Sequence, residues 1–330
     1  MGEAVDLVEV WRGGRLECLH RGHAVIFRDG AVEAAWGDPD CVIYPRSSAK
    51  MIQALPLVES GAADRFGLSQ DRLALACASH IGAGYHTDRV RAWLNDIGLS
   101  DGDFRCGAHE PGDRTARDAL IRAGTEPCQY HNNCSGKHSG FLTLNLHLGA
   151  GSEYVEPDHP VQKAVREAFE DVTGRDSPGY GIDGCSAPNF ATTVTGLARA
   201  MEGFATAGDR DGARAAAQVR LVEAMVAFPE LVAGEARACT ELMRACGGRV
   251  AIKGGAEGVY VAIIPDRRTG IALKIMDGAA RASEAVMAAL LIRLGYLDAA
   301  HPAAVARVNA PQTNWRGLVT GEIRAVPGLM

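Results

Sequence analysis

The segment Tyr44-Pro45-Arg46-Ser47-Ser48-Ala49-Lys50 carries a serine and a lysine three residues apart. A serine alcohol is a poor nucleophile until a nearby base removes its proton. Lysine can be that base only when neutral, a state favoured by burial or by a second cation. Pro45 disfavours helix just before it, and Ser47 or Ser48 is a natural cap for the helix that Met51, Leu55 and Val58 continue. A spacing of three then puts Ser47 and Lys50 on one helical face, at the positive end of the helix dipole. Alone, the pattern does not decide, because serines cap helices routinely and a lysine three residues on is common.

Serine acyl enzymes of the penicillin-binding and class A β-lactamase type add a second serine and a Lys-Thr-Gly on a late strand. Here Val250-Ala251-Ile252-Lys253-Gly254-Gly255 places Lys253 on a late apolar strand, beside glycines that let a substrate backbone approach closely. Between the two motifs, Ser79 and His80 end a helical run. The order Ser47/Lys50, Ser79, Lys253 matches two Ser–Lys pairs. The plainer alternatives are a helix C-terminal turn at Ser79-His80 and a solvated strand-end lysine at Lys253.

A second cluster, His131-Asn132-Asn133-Cys134-Ser135-Gly136-Lys137-His138, precedes the apolar run Phe141–Leu148, so it sits at a helix N-terminus. Cys185 lies in a loop marked by Asp183, Gly184 and Pro188. Two thiolates can contribute to a Zn²⁺ site but fall short of four ligands. His131 and His138 are candidate third ligands or hydrogen-bonded pocket residues, and the cysteines are equally readable as buried free thiols.

The elements that must position these residues follow a simple plan. Short strands are predicted at Leu7–Trp11, Arg15–His20, Ala24–Phe27, Val32–Trp36 and Cys41–Tyr44, with turns at Gly13-Gly14 and Asp29-Gly30. Residues 47–247 turn largely helical. Strands return from about 249, with a hairpin over 259–278 whose loop holds Pro265, Asp266 and Gly270, and a helix follows near Glu284–Leu294. The expected fold is α/β (α+β): one unit over 1–330, with an antiparallel sheet built from both chain ends and a central helical region. At 330 residues, 47% hydrophobic, the chain can bury a sizeable core. Its 34 basic and 40 acidic residues, net −6, argue against a nucleic-acid surface. The acidic, interrupted N-terminus does not read as a signal peptide, and no apolar run is long enough to span a membrane. Nine cysteines without a Cys-x-x-Cys pair suit a reducing, cytoplasmic setting.

In YPRSSAKMIQALPL, ALACASH, HNNCSGKHSGFL, HPVQ, DGCSAPNF and KGGAEGVY the chain resembles the thermolabile, Rhizobium-type L-asparaginase family (asparaginase II), itself similar to serine β-lactamases and penicillin-binding proteins. These stretches span roughly residues 42–260, and NNCSGKH with DGC-x-AP is highly specific. The resemblance implies Ser47 as nucleophile, Lys50 as its base, and Ser79 with Lys253 as a second Ser–Lys pair. It implies zinc at Cys134, Lys137 and Cys185, supporting substrate binding. It places Arg46, His80, Asn133, His138, Asp183 and Gly254 at the substrate, L-asparagine, with Arg46 and Asp183 suited to its α-carboxylate and α-ammonium. It also implies a homodimer. One departure is Ile81-Gly82-Ala83-Gly84, where relatives usually continue with Gly-Glu-containing sequence. Two other functions compete: hydrolysis of a penicillin or peptide, disfavoured by the absence of an export signal, and a non-catalytic zinc or small-molecule binding protein.

Overall fold

Gly13 and Gly14 both take left-handed φ values, 53° and 76°, and their turn folds strand Val5–Arg12 back onto strand Arg15–Arg28. Successive positive φ angles match the twist of a two-residue hairpin. Asp29 and Gly30, at 49° and 79°, repeat the device before strand Ala31–Trp36. The computed structural model describes residues 2–330.

The break expected near residues 20–24 is absent. Arg15–Arg28 is a single 14-residue strand that changes partner partway. On one side its first half pairs with Val5–Arg12 and its second half with Ala31–Trp36; on the other, its second half pairs with Thr269–Ile275. The eight-stranded antiparallel sheet runs in the order Ala310–Thr313, Val319–Ala325, Val5–Arg12, Arg15–Arg28, Thr269–Ile275, Val259–Ile264, Ala251–Gly254, with Ala31–Trp36 as the additional partner.

Val259–Ile264 is buried at every position, so this part of the sheet is covered on both faces. The helices Val194–Ala205 and Ala280–Arg293 pack on it. Gly270 lies in the strand and not in the hairpin loop, because a Cβ there would come within 2.2 Å of the Ala198 carbonyl oxygen. The turn is made instead by Pro265–Arg267 and by Arg268, whose φ is 56°.

Residues fall into two compact units. The strand unit comprises the chain up to Ser48, Thr192–Thr206 and Glu241–Met330; the helical unit comprises Ala49–Ala191 and Ala207–Thr240. Strands from both chain ends thus share one sheet, and the middle of the chain is largely helical, as expected. At the centre of the helical unit lies Ser135–Leu148, buried at every position from Ser135 to Asn145. A Cβ on Gly136 would sit 2.3 Å from the Leu75 carbonyl oxygen, so this helix crosses the Gln70–Ala76 helix at backbone contact. Among the described residues no helix is long and apolar enough to cross a membrane.

Candidate active site

In the strand unit, the Pro45 carbonyl accepts both the Ser48 backbone N–H (3.2 Å) and the Ser48 hydroxyl (2.7 Å). Arg46–Ala49 is therefore a 3-10 turn, and the Lys50–Gln53 helix it feeds has no side-chain cap. The expected serine cap is not formed, because Ser48 bonds back to Pro45. Ser47, half-buried, makes no side-chain hydrogen bond among the described residues. Arg46 takes φ 53°, a left-handed conformation that costs a residue with a side chain on the order of 1 kcal/mol or more. Its guanidinium lies 3.7 Å from Glu257.

The late strand ends against this turn. A Cβ on Gly255 would meet the Pro45 carbonyl oxygen at 2.8 Å and the Ser48 nitrogen at 3.1 Å, so only glycine lets the two backbones lie this close. Gly254 has a different reason: its missing side chain leaves room for the Tyr260 ring, 2.8 Å from where a Cβ would be. Lys253 is buried, and its amine donates to the Gly254 carbonyl at 2.7 Å.

In the helical unit, Lys50 is 1% exposed. Its Nζ reaches the Ala78 carbonyl (2.5 Å), the Ser79 hydroxyl (3.0 Å) and the Cys134 sulfur (3.1 Å). Ser79 follows the Gln70–Ala76 helix and is half-buried. Its backbone is pinned by Ser79 N–H to the Val232 carbonyl (2.9 Å) and His80 N–H to the Asn133 carbonyl (3.1 Å).

The imidazole of His80 is directed inward. Its Nδ1 accepts the Gly82 N–H at 3.1 Å, which leaves the proton on Nε2, 2.9 Å from the Ser135 hydroxyl; that hydroxyl in turn donates to the Tyr130 carbonyl. With both nitrogens hydrogen-bonded, His80 holds the Ser79 segment in place. Burial first, and the neighbouring His86 second, keep it neutral, well below the ordinary histidine value. Gly82 closes the turn at φ 66°. The divergent Ile81 fills space beside Gly234, where a Cβ would come within 2.6 Å of it, so its apolar side chain has a packing role.

The Cys134–Ser135–Gly136–Lys137 stretch opens the Ser135–Leu148 helix, as the sequence suggested. Asn132 braces it, its amide donating to the Cys106 and Gly107 carbonyls (both 2.9 Å) and its oxygen accepting the Cys134 N–H (2.8 Å). Asn133 is half-buried, and its carbonyl accepts the His80 N–H. The turn through Asp183, Gly184 and Ser186 (φ 68°) folds Cys185 inward, 3.0 Å from Lys137 Nζ. A hydrogen bond from Cys134, then the Lys137 charge and a bond from His138, hold Cys185 well below the ordinary thiol value. The same bond to Cys185, reinforced by burial, raises Cys134. Burial opposes charge on Lys137, but Cys185 and Cys134 outweigh it and the net shift is upward. Cys185 and Lys137 thus meet in a buried sulfur–amine contact.

Two participants were not legible in sequence. Tyr154 lies outside every motif, yet its hydroxyl accepts the Arg105 N–H (2.8 Å) and meets His138 Nδ1 (2.9 Å). Cys106, pushed up to about 12 by burial first and the Cys185 charge second, is near enough to this cluster to feel its charges. Among the described residues no group of three or more His, Cys, Asp or Glu side chains could hold a metal ion; His131 instead bonds the Cys128 N–H at 3.1 Å. The expected third donor, Lys137, is of a type outside such a group.

A family model described as L-asparaginase II matches residues 8–325, nearly the whole chain. The chain belongs to the L-asparaginase II family. Membership makes this L-asparaginase II chain an amidohydrolase of a small-molecule amide. No curated protein matches it. Solved structures similar to it include Mglu in its native form, at 14% identity and TM-score 0.49, covering 89% of this chain and 69% of that one. A β-lactamase from Mycobacterium bovis is similar at 14% identity and TM-score 0.46, with 84% and 95% covered. A putative β-lactamase from Bacteroides dorei DSM 17855 follows at 13% and 0.42, with 77% and 84% covered.

Proposed function

We propose that the chain hydrolyses L-asparagine to L-aspartate and ammonia through a serine acyl-enzyme, with Ser47 as nucleophile and Lys50 as its base. The observation that carries this reading is the buried Lys50 amine, three residues along a tight turn from a serine hydroxyl without a partner and hydrogen-bonded to Ser79.

In the first step the Ser47 oxygen bonds to the side-chain carbonyl carbon and its proton passes to the Lys50 amine. The C–N bond then breaks, and the leaving nitrogen takes a proton from Lys50 through Ser79, departing as ammonia. Water repeats the sequence in reverse to free aspartate and regenerate Ser47. Arg46 and Asp183 suit the α-carboxylate and α-ammonium by charge. Asn133 and His138 remain candidates for orienting the amide; Gly254 acts by leaving space.

The donor set of Cys134, Cys185 and Lys137 fits zinc, being two sulfurs and one nitrogen converging in a buried cluster. Bound there, zinc would supply a fixed positive charge that supports substrate binding. Lys137 must lose its proton to coordinate, so occupancy should fall at low pH. The resemblance also carries a homodimer. The nine free cysteines support a reducing, cytoplasmic setting.

The deciding assay is ammonia release from asparagine and glutamine, with and without chelator. Ser47→Ala and Lys50→Met should each lose at least about 1,000-fold in kcat while retaining the parent circular dichroism spectrum. Full turnover by Ser47→Ala would remove the serine mechanism. Lys253→Met, run alongside, tests the second Ser–Lys pair.

A further inference from the structure

Cys18, His20, Asp277 and Arg281 form a cluster on the strand unit that the proposed hydrolysis does not use. Cys18 and His20 are two residues apart on strand Arg15–Arg28, and alternate positions share a face. Asp277 follows strand Thr269–Ile275, and Arg281 stands in the first turn of helix Ala280–Arg293.

The hydrogen bonds here have one consistent direction. Asp277 Oδ2 lies 2.6 Å from His20 Nδ1, and a carboxylate only accepts, so Nδ1 carries the proton. Arg281 Nε lies 3.0 Å from His20 Nε2, and a guanidinium only donates, so Nε2 offers its lone pair. His20 is 3% exposed and has its tautomer set from both sides. It therefore acts as a bracket that aims the second arm of the guanidinium at Cys18, with Arg281 NH2 3.5 Å from the sulfur. The sulfur is also 3.8 Å from His20 Nε2.

Cys18 is only half-buried, so a small molecule can reach it. The Arg281 guanidinium, 3.5 Å from this reachable sulfur, sets a positive charge where an anionic disulfide would approach it. The nearest acidic neighbour in sequence, Glu17, has its charge taken up by Arg12 at 2.8 Å. Arg281 is itself exposed and can meet a carboxylate on the incoming molecule. Cys128 is equally half-buried but sits in the opposite field. Burial chiefly, and the charge of Asp101 in part, raise its thiol.

We propose that Cys18 is a modification site that undergoes exchange with small anionic disulfides of the glutathione class. The Cys18 thiol gives its proton to solvent, and the thiolate attacks one sulfur of the disulfide. A new S–S bond forms to Cys18, the original S–S bond breaks, and the second half leaves as a thiolate that solvent protonates. No further oxidant is needed.

The test uses the intact chain incubated with oxidised glutathione, with adducts located by peptide mass spectrometry. A glutathionyl adduct should form at Cys18 at least about tenfold faster than at Cys128. Arg281→Met should slow the Cys18 reaction about tenfold, and cystamine, a cationic disulfide, should react more slowly than oxidised glutathione. Equal rates at Cys18 and Cys128 would overturn the proposal, whether or not the Arg281 variant folds. An unchanged Cys18 rate in a folded Arg281→Met protein would overturn it as well. Faster reaction with cystamine would refute the anionic class.

Discussion

At the scale of single residues, the chemistry-bearing types were legible and their partners were not. Ser47, Lys50, Cys134 and Lys137 announce themselves by spacing, because a helical or 3-10 turn brings residues three apart together. His80 shows the limit. Adjacent to Ser79 it reads as a substrate ligand, yet its ring is committed to Gly82 and Ser135, contacts that only the fold determines. Its stacking partner His86, centroid to centroid 4.8 Å, is fully buried, donates from Nε2 to the Glu230 carbonyl and leaves Nδ1 without a hydrogen-bond partner. That arrangement suits a neutral ring, and burial lowers its pKa to about 4. An unfolded histidine takes up its proton near pH 6.5, so between those values the unfolded state binds more protons. The stability contributed by neutral His86 is complete above about pH 6.5 and declines as pH falls, by about 2 kcal/mol at pH 5. His80 acts in the same direction. Urea denaturation at pH 7 and pH 5 should show a smaller loss on acidification for His86→Gln than for the parent. Identical losses would mean that His86 is not the group responsible.

At the scale of elements, turn residues carried the message better than strand boundaries did. Gly13-Gly14 and Asp29-Gly30 marked real hairpins, whereas the 14-residue strand between them read as two, because its change of partner leaves no local signature. The helix start expected at the Cys134–His138 cluster is found, but the role of its glycine was not visible: Gly136 is what lets the Ser135–Leu148 helix touch the backbone of Gln70–Ala76, the helix that ends just before Ser79. A methyl group 2.3 Å from the Leu75 carbonyl oxygen cannot be accommodated without moving one helix. Overpacking of this kind typically costs 1–3 kcal/mol, and here the clash is with backbone, so Gly136→Ala should lose roughly 2–3 kcal/mol of stability. A denaturation midpoint unchanged from the parent would show that the crossing is looser than described. Gly255→Ala should behave differently, since it presses on the Pro45–Ser48 turn at the sheet edge. There the expected result is at least about tenfold lower kcat from a displaced Ser47, with a smaller change in stability.

At the scale of the whole molecule, the plan of end strands and a helical middle was readable from hydrophobic period alone, but the assignment of Thr192–Thr206 was not. That stretch reads as one more helix of the middle, yet its helix packs on strands Thr269–Ile275 and Val259–Ile264. The reason is tertiary: Gly270 offers a smooth strand surface against which the helix backbone can lie, a fact spread over residues far apart in sequence. A consequence concerns cooperativity. The chain passes between the two units after Ser48, Ala191, Thr206 and Thr240, so neither unit is a continuous piece of sequence. Closing either one requires ordering segments that belong to the other, which adds loop-closure entropy to any state with one unit folded and its partner unfolded. The chain should therefore unfold in a single transition despite its length. The tryptophans allow a direct check: Trp93 is buried in the helical unit, donating to Thr143 at 3.0 Å, whereas Trp11, Trp36 and Trp315 belong to the strand unit. Fluorescence of the parent and of Trp93→Phe, followed through urea unfolding beside far-ultraviolet circular dichroism, should give coincident normalised curves for each protein. If the signal unique to Trp93 is lost at a lower urea concentration than that of the remaining tryptophans, the helical unit melts on its own, and the interleaved chain does not bind the two into one cooperative fold.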